Sequence, residues 1–475
     1  MSQELQPAYL SQQSASIQEL HESHPDIISR QATINIGTIG HVAHGKSSLT
    51  RALTSVDTVK FSDEKVNNIT IKLGYANAKI FECRNSECTS EQRYFTSKSD
   101  TRDDVPCPKC EHPSTLIRHI SIIDCPGHDD YMTTMLSGAA LMDATMLLIA
   151  ADQPCPQSQT VEHLQAITIG QNQNPIIVAQ NKIDLVNETQ ARQNYSQIQS
   201  FLGAALQNKA APSIIPISAA RNLNIEHIIN EIVKIPVPKR SLDKPPRFVS
   251  IRSFDTNRSG QSIDQMQGGI IGGTLIEGIL KVGDIIEIRP GIIETTKEKT
   301  HKCYPLTTKI ISLKAEGNDL KYALPGGLIA IGTMLDPALT KSDKMIGQVL
   351  GYPGTLPDII TKFKIKFYLL INKDQEVQTF LSEELGKLTK CGSEILITVS
   401  GCNVSAIITS EDAIVTGNGS EIEIQVSKPI CIPDGVSIAI SSKGLGHLSK
   451  NWRLIGYGIP VVQKREPKQQ ENIEE

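Results

Sequence analysis

The chain has 475 residues, 39% hydrophobic and 21% charged, the balance of a soluble globular protein with room for roughly two to four domains. Its 47 basic residues against 51 acidic ones leave a net charge of −4, which excludes a surface-wide attraction for polyanions; any nucleic-acid contact must be local. The longest apolar run, Ala144 to Ala151, is far below the about 18 residues of a membrane span, and the N-terminal stretch lacks an apolar signal core. The expected setting is therefore cytoplasmic, with no membrane contact and with the ten cysteines reduced or metal-bound.

Residues 1–30 mix polar and scattered apolar positions with no sustained period, as expected of a flexible tail. Ala32 to Thr38 reads as a strand running into a glycine loop, and Ser47 to Ser55 as a helix. Apolar strands recur at Ile120–Ile123, Met146–Ala150, Ile176–Ala179 and Ile214–Ile217. Helical stretches such as Gln157–Ile169 and Ala191–Leu206 lie between them, which implies a mostly parallel, doubly wound sheet. The prolines of 236–246 suggest a linker. Beyond it, helices nearly vanish and short alternating strands are broken by glycine pairs, as in β-barrels. A second Gly/Pro cluster at 351–357 divides this region. With the phosphate-loop motif at Gly40 to Ser47, the guanine-type motif Asn181-Lys182-Ile183-Asp184 and the cysteine pairs Cys83/Cys88 and Cys107/Cys110, the expected fold class is an α/β P-loop GTPase domain with a zinc-knuckle insert, followed by two β-barrel domains. The expected boundaries are 1–30 for the tail, 31–240 for the GTP-binding domain (knuckle about 80–113), 241–350 for the first barrel and 351–475 for the second, which ends in a charged stretch.

Four motifs fall in series at strand ends, where doubly wound sheets bind ligands. In the first, Gly40 to Ser47, the glycines let backbone N–H groups of His41, Val42, Ala43, His44 and Gly45 face phosphate. The helix that opens at Lys46, Ser47 and Ser48 adds its positive end. Lys46 is expected to reach the β- and γ-phosphates, and the Ser47 hydroxyl to ligate Mg²⁺. In the second motif, Asp124 is expected to hold Mg²⁺ through water, and Gly127 to bring its N–H to a γ-phosphate. His128 is placed to orient the attacking water. In the third, Asn181-Lys182-Ile183-Asp184, the carboxylate can accept from guanine N1–H and the exocyclic amine, donors that adenine lacks. The fourth, Ser218-Ala219-Ala220, offers the Ala219 N–H to the guanine oxygen. Between the first two, Thr70 is the candidate hydroxyl that grips Mg²⁺ and γ-phosphate in the triphosphate state only. Val42 and Ile69 are expected to form an apolar gate beside His128.

Cys83 and Cys88, then Cys107 and Cys110, supply four thiolates from two short turns, the pattern of a closed structural Zn²⁺ site.

Residues Ile28 to Ser47, Asn68 to Ala78, the cysteine knuckle, Gly326-Gly327-Leu328-Ile329 and Trp452-Arg453-Leu454-Ile455-Gly456 resemble the gamma subunit of eukaryotic and archaeal translation initiation factor 2. The resemblance covers about residues 26–460. Ala43 stands where elongation-type relatives usually carry aspartate. The resemblance implies a heterotrimer with alpha and beta subunits, docked on the first barrel and on the GTP domain respectively. It also implies GTP-dependent carriage of methionyl initiator tRNA to the small ribosomal subunit. A GTPase-activating partner and a nucleotide-exchange factor would complete the cycle. Tyr75 matches a position that helps line the pocket for the aminoacyl end. Asn67 replaces a usual arginine, and Ser441 to Lys450 is less basic than the family pattern. Arg247, Arg252 and Arg258 read as solvated surface charge rather than an RNA patch. Two other readings compete: an elongation-type aminoacyl-tRNA carrier, including the selenocysteine one with its added winged-helix module, and a metabolic GTPase such as a sulfate adenylyltransferase subunit. The knuckle and Ala43 argue against the latter.

Overall fold

The computed structural model describes residues 20–58, 64, 70–88, 93–98, 100, 102–169, 174–206, 212–258, 260–262, 265–296, 300–370, 391–399, 401–410, 419–433, 435–443 and 452–461. Ile69, Asn67, residues 1–19 and residues 462–475 lie outside them, so the expected gate between Val42 and Ile69 is not described.

The first domain is a seven-stranded sheet. Its strands are β1 (Ile34–Ile39), β2 (Gly74–Cys83), β3 (Tyr94–Thr96), β4 (Ser114–Asp124), β5 (Ala144–Ala150), β6 (Ile176–Asn181) and β7 (Ile214–Pro216). They run in the order β3-β2-β4-β1-β5-β6-β7. From β4 to β7 the sheet is parallel, while β2 and β3 add an antiparallel edge. β1 and β5 are buried at every position, as strands covered on both faces must be; β5 reads as a near-continuous apolar run, while in β1 the buried polar side chains Asn35 and Thr38 donate to the Leu141 carbonyl and to Asp124. Six helices accompany the sheet: α1 (Pro25–Ile28), α2 (Lys46–Thr54), α3 (Met132–Ala139), α4 (Ser158–Ile167), α5 (Glu188–Ala205) and α6 (Ile225–Lys234). α6 shows how sequence sets packing. Ile225, Ile228, Ile229 and Ile232 recur at helical spacing and bury one stripe in the same cluster as Leu49, Ile34 and Ile120.

Beyond Lys234, helix is confined among the described residues to Pro337–Thr340 and a 3-10 turn. Strands between Arg247 and Gly351 close on themselves through the Ile285–Thr295 and His301–Ala315 pair. Six strands from Ile359 to Pro460 form a second closed barrel. In each barrel one side chain in two points inward. Phe248, Ile271, Ile288 and Ile331 fill the first; Ile365, Phe367, Ile397 and Ile424 fill the second. Closure removes the exposed edges that open sheets must guard.

The tail expectation fails for residues 20–30. Leu20 and Ile27 are buried with Tyr322 and Leu324 of the first barrel, and His24 caps α1 through the Asp26 N–H. Next to them Gln31 donates to the carbonyl of Gly326 at 3.1 Å and accepts from the Leu324 N–H at 3.1 Å. The backbones of Ala32 and Thr33 then press so closely on Gly326 and Gly327 that a Cβ at either would lie 2.6 Å from a carbonyl oxygen. Glycine is required there by contact between domains.

The proline-rich segment is not loose either. Arg240 grips both oxygens of Asp143 at 2.7 Å, and its own N–H donates to Glu22. One residue later, the Ser241 carbonyl accepts from Gly278 of the barrel at 2.9 Å. All three domains meet in one apolar cluster, where Ile251 of the first barrel and Ala439 of the second join Met132, Met135 and Leu164.

Candidate functional site

The phosphate loop leaves β1 and enters α2 through Gly45, whose φ of 93° is left-handed and whose helix N-terminus carries no side-chain cap. The first-turn amides are thereby left for an incoming anion. Ala43 is exposed at φ 60°, a conformation unusual for a residue with a Cβ. His41 and Val42 are half-buried beside it. Lys46 is buried and donates Nζ to the carbonyls of Gly40 and His41, at 2.9 and 2.8 Å. Burial lowers its pKa to about 8, against the opposing pull of Asp124. It thus stays charged at neutral pH, with the loop's own carbonyls standing where phosphate oxygens would compete for it.

His44 faces away from that anion site. Its Nδ1 lies 3.0 Å from the Leu148 carbonyl and its Nε2 lies 3.1 Å from Gln153 Oε1. Burial depresses its pKa to about 4, so the side chain is a neutral support and only its backbone can serve phosphate. Ser48 sits in the first turn of α2.

Two hydroxyls separated by 23 positions meet on the metal side: Ser47 Oγ and Thr70 Oγ1 are 3.1 Å apart. Adjacent ligands of an octahedral Mg²⁺ at about 2.1 Å stand about 3 Å apart, so this spacing fits one edge of such a shell. The segment beyond Thr70 is pinned by buried Glu64, which accepts from the N–H groups of Ile71 and Lys72 at 3.0 Å each. Asp124 lies at the end of β4, fully buried. Its oxygens accept from Thr38 at 2.9 Å and Thr58 at 2.6 Å. Neither threonine was marked by the sequence, since neither belongs to a local motif.

Gly127 lies directly over the loop. A Cβ there would fall 2.3 Å from Lys46 Nζ and 3.0 Å from the Val42 nitrogen. His128 is less committed than the sequence implied. Its ring is turned outward toward Tyr131, at 6.0 Å between centroids, and Nδ1 accepts from the Asp130 N–H at 3.2 Å.

On the base side, Asn181 ties three loops. Nδ2 donates to the His44 carbonyl at 2.8 Å, and Oδ1 accepts from the Ala219 N–H at 3.0 Å. The Ala219 N–H, expected for the guanine oxygen, is thus engaged by Asn181 in this structure. Lys182, at φ 65°, reaches Asp152 at 3.2 Å. Asp184 is partly exposed, with the Arg221 guanidinium 3.9 Å away. Ser218 is buried and its hydroxyl caps the turn at Arg221, while Ala220 is exposed.

The four knuckle sulfurs lie within 4.8 Å of one another, with Cys110 Sγ 3.4 Å from both Cys83 and Cys88. Tetrahedral Zn–S bonds of about 2.3 Å place sulfurs about 3.8 Å apart. The four thiols share their protons unequally: the amide at His112 holds Cys110 down to about 6, hydrogen bonds with Cys110 and Cys83 push Cys88 up to about 12, and burial raises Cys83 against the Asn85 N–H that donates to it at 3.4 Å. The donor set and its geometry fit Zn²⁺.

Tyr75 leaves β2 at the seam with the first barrel. Its hydroxyl is buried with no hydrogen-bond partner, and its pKa is raised by burial. The charges felt there include Arg252 and Asp343, which pair at 3.1 Å. Arg247 likewise pairs with Glu277 at 2.9 Å, so neither arginine is the solvated charge the sequence suggested.

Two closed barrels packed behind a phosphate-loop sheet make this a GTPase of the translation-factor class. Residues 31–237 match the family model described as "Elongation factor Tu GTP binding domain" and residues 361–460 that described as "Initiation factor eIF2 gamma, C terminal". The chain is 45% identical to the eukaryotic translation initiation factor 2 subunit gamma of Schizosaccharomyces pombe, covering 94% of this chain and 98% of that protein. It is 45% identical to subunit 3 of the same factor from Drosophila melanogaster, covering 91% and 90%. The chain belongs to the family of gamma subunits of translation initiation factor 2, and GTP hydrolysis is its activity. Solved structures of bacterial selenocysteine-specific elongation factor and of SelB from Methanococcus maripaludis share the fold, with TM-scores of 0.64 and 0.63 at 19% identity. The match covers 92% of this chain and 60% of the bacterial factor, and 91% and 79% for SelB.

Among the described residues no helix is long and apolar enough to cross a membrane.

Proposed function

We propose that this GTPase carries methionyl initiator tRNA to the small ribosomal subunit in the cytoplasm, with hydrolysis as the release switch. Family membership over nearly the whole chain supports this reading. The single structural observation behind it is Tyr75, whose buried, unpartnered hydroxyl lies where the switch-side strand meets the first barrel. An aminoacyl end entering that seam would supply the missing hydrogen bond.

In this reading Lys46 and the loop amides hold the phosphates. Ser47 and Thr70 hold Mg²⁺ directly and Asp124 through water, and Asp184 selects guanine. Mg²⁺ supplies charge neutralisation at the transferring phosphoryl group. His128 would orient water after turning inward from Asp130. Zn²⁺ on Cys83, Cys88, Cys107 and Cys110 holds the knuckle together. The alpha and beta subunits, an activating protein and an exchange factor are the proposed partners. The proposed division of the chain falls between Arg240, bonded back to Asp143, and Ser241, bonded forward to Gly278.

Filter binding with charged initiator and elongator tRNAs, in GTP and in GDP, tests the assignment. Preferential retention of initiator tRNA with GTP is expected. Preference for elongator tRNA, or equal retention in both nucleotide states, would overturn it.

A further inference from the structure

Helix α4 carries two adjacent side chains that the site as described leaves unused. On one face, His163 Nδ1 accepts the N–H of Gly40 at 3.2 Å, in the buried interior. The carbonyl of that same residue holds Lys46 Nζ at 2.9 Å. Gly40 has φ +138°, and a Cβ there would lie 2.3 Å from the Leu148 carbonyl, so its backbone is fixed from three sides. Only an imidazole lacking a proton on Nδ1 can accept, and burial keeps this ring neutral by lowering its pKa to about 3, with the charge of Lys46 adding to the effect.

On the neighbouring face, Glu162 forms an ion pair with Arg453 of the second barrel, their side chains 16% and 21% exposed. Below it Leu164, Ala166 and Ile167 share an apolar cluster with Ala439, against which Leu454 and Tyr457 of the same barrel pack. One short helix therefore touches the second barrel with one residue and the phosphate loop with the next.

We propose that His163 is a positioning residue for the phosphate loop, and that α4 relays the seating of the second barrel, through Glu162–Arg453, to the Gly40 peptide and so to the rate of nucleotide release. The proposal rests on the nucleotide-site reading above. With the barrel seated, His163 pins the Gly40 N–H and the loop keeps the shape that presents its amides to phosphate. When the ion pair parts, α4 shifts and withdraws Nδ1. A buried N–H then lacks its acceptor, the Gly40 peptide turns, and the phosphate cradle loosens.

The test uses the full chain, Mg²⁺ and fluorescent mant-GDP, with release followed on dilution into excess GDP. His163→Leu removes the acceptor and should speed release about tenfold. His163→Asn, whose Oδ1 can stand in for Nδ1, should restore a rate near that of the unaltered chain. Arg453→Gln should speed release a few-fold alone and add nothing in the His163→Leu background, since both changes break one relay. If His163→Leu does not fold, His163→Met, which likewise offers no strong acceptor, takes its place in the comparison. An asparagine variant as fast as the leucine one overturns the positioning role. Unchanged release in Arg453→Gln, or effects that multiply in the double variant, overturns the relay. Failure of the unaltered chain to bind mant-GDP would instead overturn the nucleotide-site reading.

Discussion

The hydroxyl oxygens of Ser47 and Thr70 stand 3.1 Å apart, one on the first turn of the phosphate-loop helix and the other on the segment that feeds β2. This pair joins the static half of the proposed metal site to its movable half. Thr70→Ala should leave GDP binding nearly unchanged but weaken GTP binding about 10- to 100-fold, the loss of a hydroxyl engaged in one state only. Ser47→Ala should weaken both in Mg²⁺ and abolish most of the Mg²⁺ dependence. Titration with fluorescent GTP and GDP analogues, with and without EDTA, checks both.

Asp184 sits partly exposed beyond β6, with Asn181 behind it fixing the loop. Two hydrogen bonds from guanine to a carboxylate are worth about 1.5–3 kcal/mol each. Asp184→Asn should therefore cut GTP affinity by about 10² to 10⁴-fold. Because the new amide can donate to a carbonyl, affinity for xanthosine triphosphate should rise. Competition between the two nucleotides measures the exchange.

The purified protein is expected to hold one Zn²⁺ per chain by elemental analysis, and Cys107→Ser to lose it. Cys107 is buried beside Phe81 and Phe95, whose rings stack at 5.7 Å. Removing the metal should therefore lower the thermal midpoint and open the knuckle to protease first. A metal-free protein with the same midpoint would remove zinc from the account.

Three buried histidines make the fold sensitive to acid. His44 titrates at about 4, and His119 and His163 at about 3, each lowered chiefly by burial. Unfolded, each would take a proton near pH 6.5. Their contribution is thus fully present above about pH 6.5 and is lost as pH falls toward 4 and 3, where only the unfolded chain binds those protons. Each adds a slope of up to about 1.4 kcal/mol per pH unit. Urea unfolding at pH 7, 6 and 5 should show falling stability. His119→Asn, which can still donate to the Ile28 carbonyl now 3.0 Å from the ring, should flatten the dependence.

The motifs were legible because each is local: glycines at tight turns, a carboxylate at a strand end, paired cysteines on short hairpins. Their neighbours were not. Thr38 and Thr58 hold Asp124 across 86 and 66 residues, and Gln31 reaches Leu324 across 293, so no spacing signals them. The antiparallel edge of β2 and β3 was hidden because its alternation runs into the knuckle. The orientation of His128 depends on Asp130 and Tyr131, which a motif centred on Gly127 does not include. The parallel strands β1, β5, β6 and β7 and the helices α2, α4 and α5 match their expected positions to within three residues, because apolar periodicity records the burial that creates them, whereas β4 begins six residues before its apolar run.

Arg240 and Ser241 are consecutive, yet one is clasped by the sheet domain and the other by the barrel. The tether between the two bodies is thus a single peptide, with no slack on either side. A swing of the barrels would resemble a door on its hinge rather than a weight on a cord, and it would also have to slide Ala32 and Thr33 past Gly326 and Gly327. Glycines inserted at this joint would free the motion from the nucleotide, and a residue deleted there would jam it.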